Sequence, residues 1–119
     1  MMPYERLDAW RMCDELAAEV YRLSATWPRS ELYGITAQIR RAALSAPTNL
    51  AEGSAKRGRR EFARFADMSL GSLAELSYLL RFAHRVGYLT DIEHDGIQSL
   101  RNSAGKLTWR LLRALRADV

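Results

Sequence analysis

Residues 59–87, RREFARFADMSLGSLAELSYLLRFAHRVG, decide the fold. Phe62, Phe65, Ala66, Ser69, Leu73, Leu76, Leu80 and Ala83 recur mainly at steps of three and four, which gathers them on one side of a helix of about 3.6 residues per turn. No proline interrupts the stretch, so it reads as one long helix ending near Val86. Gly87 then stands where a left-handed cap would stop it.

Working outward, SAKRGRRE at 54–61 has the glycine and charges of a turn. Before it lies a second helix that Ser30 could cap, with the stripe Leu32, Ile35, Ile39, Ala42, Ala43, Ala46 and Leu50. Pro47 falls inside this stripe, removes a hydrogen bond to the Ala43 carbonyl and should kink or divide the helix. The periodicity persists past it to about Gly53. Upstream, a first helix is expected from an N-cap at Asp8, carrying Ala9, Cys13, Leu16, Ala17, Val20, Leu23 and Trp27, until Pro28 stops it. Downstream, Thr90 and Glu93 have the spacing of a capping box that opens a fourth helix, with the near-heptad stripe Ile97, Leu100, Ala104, Leu107, Leu111 and Ala114 or Leu115. No strand-like alternation competes. Long helices joined by short turns predict an all-α fold, an antiparallel up-down four-helix bundle with its second helix kinked at Pro47, in one domain spanning residues 1–119.

Composition agrees with a folded globule: 119 residues, 48% hydrophobic and 27% charged. No run approaches the roughly 20 apolar residues of a membrane span, and MMPYERLDAW carries charges where a signal peptide would be apolar. The single cysteine excludes an internal disulfide, so the cytoplasm is the expected compartment, with no membrane partner.

Catalytic equipment is not evident. His84 and His94 share no metal-binding spacing on one helix face, and no Gly-rich phosphate loop occurs. Cys13 lies in the middle of an apolar stripe, where a thiol is inert. Glu31, Glu52, Glu61 and Glu75 are expected to cap helix ends or pair with Arg40, Arg41, Arg59 and Arg60. The expectation is a protein that is not an enzyme and carries no cofactor and no metal.

Charge is the stronger signal. The net charge is +4, the pI is near 9.6, and 18 cations face 14 anions. Sixteen of those cations are arginine, whose fork suits phosphate. Lys56, Arg57, Arg59, Arg60 and Arg64 cluster around a helix N-terminus, a reasonable phosphate-binding arrangement, and Arg40 and Arg41 add to it. Arg110, Arg113 and Arg116 supply further charge. Apolar groups also stand away from the main stripes: Met68, Tyr78 and Phe82 on the third helix, and Trp109 on the fourth. A helix apolar on both sides usually has partners on both sides. Along the back of the second helix runs a small and hydrogen-bonding row, Gly34, Gln38, Arg41, Ser45, Thr48 and Glu52, over which another helix could approach closely. Gln38, Arg41, Met68, Tyr78, Phe82 and Trp109 are therefore the expected oligomer interface.

Two stretches, residues 27–76 (WPRSELYGITAQIRRAALSAPTNLAEGSAKRGRREFARFADMSLGSLAEL) and 82–89 (FAHRVGYL), resemble a family of small bacterial four-helix bundles. That family was first noted as products of intervening sequences within large-subunit ribosomal RNA genes. The resemblance rests on a proline followed by Glu31, then Gln38, Ile39, Arg40, Arg41 and Ala42, then Pro47, Asn49, Ala51, Glu52 and Gly53, and finally Gly71, Ser72 and Glu75. It implies a cytosolic homo-oligomer, typically a pentamer, of antiparallel bundles arranged as a barrel. The family is similar to the accessory protein of diversity-generating retroelements, a basic pentamer that binds nucleic acid and a reverse transcriptase. Carried over, Gln38 and Arg41 would belong to the polar seam, and Asn49, Glu52 and Gly53 would organise the end of the second helix. The functional expectation is a non-enzymatic homopentameric scaffold holding RNA or DNA by its phosphates. A protein-interaction module without nucleic-acid binding is the alternative.

Overall fold

The computed structural model describes residues 1–117. Among these residues are four α-helices: α1 Asp8–Ser24, α2 Ile35–Ser54, α3 Arg59–Arg85 and α4 Asp91–Arg116. Each helix packs against its two neighbours, α1 with α2, α2 with α3, α3 with α4 and α4 with α1, the closed circuit of an antiparallel up-down bundle. The molecule measures 48 × 23 × 22 Å, and its long axis is set by α3, whose 27 residues extend about 40 Å.

One continuous core fills the space between the helices. Leu16, Ile39, Leu50, Leu73, Leu76, Leu80, Ile97 and Leu112 are its largest fully buried side chains, and Cys13 and Val20 fill in from α1. Two hydroxyls lie among them. Ser69 Oγ donates to the Ala46 carbonyl at 2.9 Å, and Thr108 Oγ1 donates to the Ala104 carbonyl at 2.8 Å, so neither adds an unmet polar group.

Helix ends follow backbone chemistry. Thr90 Oγ1 accepts from the Glu93 amide at 3.1 Å while the Glu93 carboxylate accepts from the Thr90 amide at 2.9 Å, which completes the expected capping box. At the end of α3, Gly87 has φ +89°, its amide donates to the His84 carbonyl and the Tyr88 amide to the Ala83 carbonyl. That pair of bonds satisfies two orphan carbonyls and turns the chain.

Several expectations need correction. Asp8 is the first helical residue and Leu7 the cap, because the Asp8 carboxylate turns to Arg11. α1 stops at Ser24, and Trp27 is buried from the connecting turn. Ser30 caps nothing: Arg29–Glu31 forms a short 3₁₀ turn, and α2 begins after Gly34, which leaves Leu32 exposed. The continuation of α2 past Pro47 that its periodicity led to is as expected, the helix running on to Ser54. On α4 the buried line runs through Ile97, Ala104, Thr108 and Leu112, with Leu107 and Leu111 partly buried beside it and Ala114 exposed. A straight helix advances faster than a strict heptad, which shifts the line towards Thr108 and Leu112.

Candidate nucleic-acid interface

The basic cluster occupies one end of the bundle, where α2 ends, α3 begins and α4 finishes. Gly58, with φ +86°, lets the chain double back into α3 within a few residues. A second glycine makes the corner tight: a Cβ on the buried Gly53 would lie 2.8 Å from Phe62 Cδ1 and 2.8 Å from Phe65 Cβ. Lys56, Arg57, Arg59, Arg60 and Arg64 are consequently crowded on this end and all exposed.

Their partners differ. Arg59 reaches the last turn of α4, donating to the Leu115 carbonyl at 3.4 Å and to that of Ala114, so it satisfies orphan acceptors at the negative end of the helix dipole. Arg64 holds Glu61 at 3.0 Å, and this hydrogen bond draws the Glu61 carboxyl below its ordinary range. Lys56 Nζ and Arg64 Cζ sit 5.4 and 4.8 Å from the centre of the Phe65 ring, which steadies both cationic heads beside an aromatic face. Lys56, Arg57 and Arg60 form no ion pair among the described residues. From α4, Arg116 joins the cluster and lies 3.8 Å from Asp67. Between the starts of α3 and the end of α4 opens a cleft of about 740 Å³ lined by Arg59, Arg60, Arg64 and Arg116, with Glu61 and Asp67 inside it.

Arg40 does not join this cluster. It lies roughly 20 Å away along α2, at about 1.5 Å per residue. There its Nε donates to Ser24 Oγ at 2.9 Å, Nη2 to the Tyr21 carbonyl at 3.4 Å, and its guanidinium covers the Tyr21 ring at 4.6 Å. It clamps the end of α1. Arg41 is exposed one residue on, facing outward with Gln38.

The expected oligomer residues also divide. Ser45 Oγ meets Ser72 Oγ at 2.7 Å, so part of the small polar row is used within the chain to draw α2 against α3. Together with the Ser69–Ala46 bond, that contact sets an antiparallel register with Thr48 about level with Met68 and Gln38 about level with Tyr78. Met68, Tyr78 and Phe82 are exposed along the outer side of α3, with Tyr78 and Phe82 rings 6.4 Å apart, and Val86 continues the row. Gln38 and Arg41 border it from α2. Trp109, half exposed, stands on α4 at the other edge of α3 and does not share the α2–α3 face.

Other chemistry-bearing groups are accounted for. Cys13 is fully buried and its thiol is pushed up to about 11 by burial, with Thr108 Oγ1 3.7 Å from the sulfur. His84 and His94, ten residues apart in sequence, stack with ring centres 4.3 Å apart, and His84 Nε2 lies 2.6 Å from an Asp91 oxygen. Sequence spacing missed this pair because it forms across the α3–α4 turn. Among the described residues no group of three or more histidine, cysteine or acidic side chains is placed to hold a metal. No helix is long and apolar enough to cross a membrane. Glu31 accepts from the Tyr88 hydroxyl, and Glu61 from Arg64; neither pairs with Arg40, Arg41, Arg59 or Arg60.

Residues 5–110 match the 23S rRNA-intervening sequence protein family. The chain belongs to that family. The fold is also that of a crystallised protein of unknown function from the S23 ribosomal protein family of Bacteroides thetaiotaomicron, with a TM-score of 0.79 at 19% identity. The likeness covers 88% of this chain and 98% of that one, and at such identity it speaks for the fold alone. No curated protein matches the chain. For this member of the intervening-sequence family, the match in sequence gives the family and the likeness in shape gives the fold.

Proposed function

We propose that this member of the intervening-sequence family is a non-enzymatic, cytoplasmic homo-oligomeric scaffold, a pentamer, that binds RNA or DNA through phosphate contacts. One observation carries the reading: Lys56, Arg57 and Arg60, without ion-pair partners among the described residues, are exposed at one bundle end beside Arg59, Arg64 and Arg116. Unpaired arginine and lysine on a rigid end release counterions when they meet phosphate, a contact that reads little sequence. Repetition of the end around a ring turns weak single contacts into firm binding.

The test is a titration of single- and double-stranded oligonucleotides at low and moderate salt. With about four phosphate contacts, affinity is expected to fall roughly 100-fold between about 50 and about 200 mM salt. The variant K56E/R57E/R60E spares Arg59, which fastens α4, and should abolish binding while circular dichroism stays unchanged. Binding without a salt slope, or retained by the variant, overturns the reading.

A protein-interaction module without nucleic-acid binding is the second reading, favoured by Glu61 and Asp67 inside the basic cleft and by the apolar outer row on α3. A partner such as a reverse transcriptase that is captured after nuclease treatment, by a chain that binds no oligonucleotide, would favour it.

A further inference from the structure

From Gly96 to its end, α4 carries Arg101, Lys106, Arg110, Arg113 and Arg116 and no carboxylate. Asn102, Lys106, Trp109 and Arg113 fall within about 60° of one another around the helix, turned away from the buried line through Ala104, Thr108 and Leu112. All four are exposed, and half of the Trp109 surface is open to solvent. Lys106, Arg110 and Arg113 form no ion pair among the described residues, and Asp67 of α3 is met by Arg116 at 3.8 Å.

One turn before Trp109, where a helical side chain leans, stands Gly105. A Cβ placed on it would meet only Arg101 Nη1, at 3.7 Å, so the space beside the indole is free. Glycine inside a helix is unfavourable relative to alanine, and an open aromatic face gives it a use. The opening measures about 370 Å³ and is lined by Arg101, Asn102, Gly105, Lys106 and Trp109, with no acid among them. Arg101 is held at its wall by the Asn102 side chain and by the Leu73 carbonyl at 3.5 Å.

An uncovered indole set among unpaired cations is the chemistry that receives a nucleic-acid strand with unstacked bases: a base lies on the ring and the phosphates meet the cations. A duplex offers the phosphates but keeps its bases stacked on one another. A second copy of the chain is the poorer occupant, because its own net charge is +4 and this side of α4 has no carboxylate to receive it. Trp109 and Arg116 are about 10 Å apart along the helix, and Arg116 already lines the cleft at the Lys56 end, so the patch continues the candidate interface.

We propose that this side of α4 binds single-stranded nucleic acid, with one base stacked on the Trp109 indole beside Gly105 and with Lys106, Arg110 and Arg113 on the phosphates. The inference rests on the nucleic-acid reading and names its substrate class, a single strand of RNA or DNA.

Fluorophore-labelled oligodeoxythymidylate, oligouridylate and a DNA duplex of equal length, each titrated with the full chain at about 50 mM salt and read by anisotropy, test it. Both single strands are expected to bind, and Trp109→Ala to weaken them roughly 10- to 100-fold at an unchanged salt slope, with duplex affinity kept within about twofold. Trp109→Phe retains a ring and should recover most of the loss. Gly105→Leu fills the space beside the indole and suits a helix, so it should weaken the single strands alone at undiminished thermal stability. Single-strand affinity that Trp109→Ala leaves unchanged, or an equal loss for strand and duplex, overturns this site and leaves the Lys56 end standing. A fall in sedimentation mass with Trp109→Ala does the same, since it makes the ring a contact between copies. A parent chain that binds none of the three probes overturns the nucleic-acid reading and this inference with it.

Discussion

Gly53 is buried against Phe62 and Phe65 with no room for one more carbon. Gly53→Ala must push apart the α2–α3 corner and should cost about 1–3 kcal/mol, read as a lower denaturation midpoint at unchanged slope. Cys13 offers a pH-dependent test. Its thiol titrates at about 11 in the folded chain against the usual 9.0, so between those values the unfolded chain has lost a proton that the folded chain keeps. Stability from this group is complete below about pH 9 and falls by about 2 kcal/mol on the way to pH 11. Cys13→Ala should flatten that part of the stability profile relative to the parent; identical slopes would show that other groups cause it. Cys13 was legible in the sequence because it interrupts nothing in an apolar stripe. Thr108 was not, since a hydroxyl on a helix is normally given to solvent, and only its bond to the Ala104 carbonyl makes burial acceptable.

At the scale of elements, α3 ends on Gly87 with φ +89°, a backbone that any Cβ strains although space around it is open. Gly87→Ala should therefore cost roughly 1–2 kcal/mol through backbone strain alone, measurable by urea denaturation, and Gly87→Asn should cost less. The contrast separates conformation from packing. This end and the start of α4 were readable because their caps use side chains or glycine at fixed offsets. The start of α2 was not: its cap is Gly34, with no side-chain bond, and Ser30 four residues earlier imitates the usual signal. The candidate site shows the same limit. Lys56 to Arg64 is contiguous in sequence and so visible, whereas the arrival of Arg116 beside Arg60 depends on how α4 closes the bundle, and the division of labour that leaves Arg40 clamping α1 depends on Tyr21 and Ser24.

For the whole molecule, the outer side of α3 poses the remaining question, because the bundle is complete without Met68, Tyr78, Phe82 and Val86. Gly71 stands in the same row with nothing within 4 Å of a Cβ placed on it. Inside one chain that glycine is simply unfavourable, by about 1 kcal/mol relative to alanine. A second copy packed closely over α3 supplies a reason for it, and for the aromatic rings beside it. Sedimentation velocity is expected to give a mass several times 13.6 kDa. Tyr78→Glu with Phe82→Glu should reduce it to one chain with helicity retained, since neither side chain enters the core. If the scaffold binds nucleic acid by repetition, the same double variant should also lose about 10²- to 10⁴-fold in affinity although every cation at the Lys56 end is intact. A mass of one chain for the parent would remove the assembly, and dissociation that leaves affinity untouched would confine phosphate binding to a single copy.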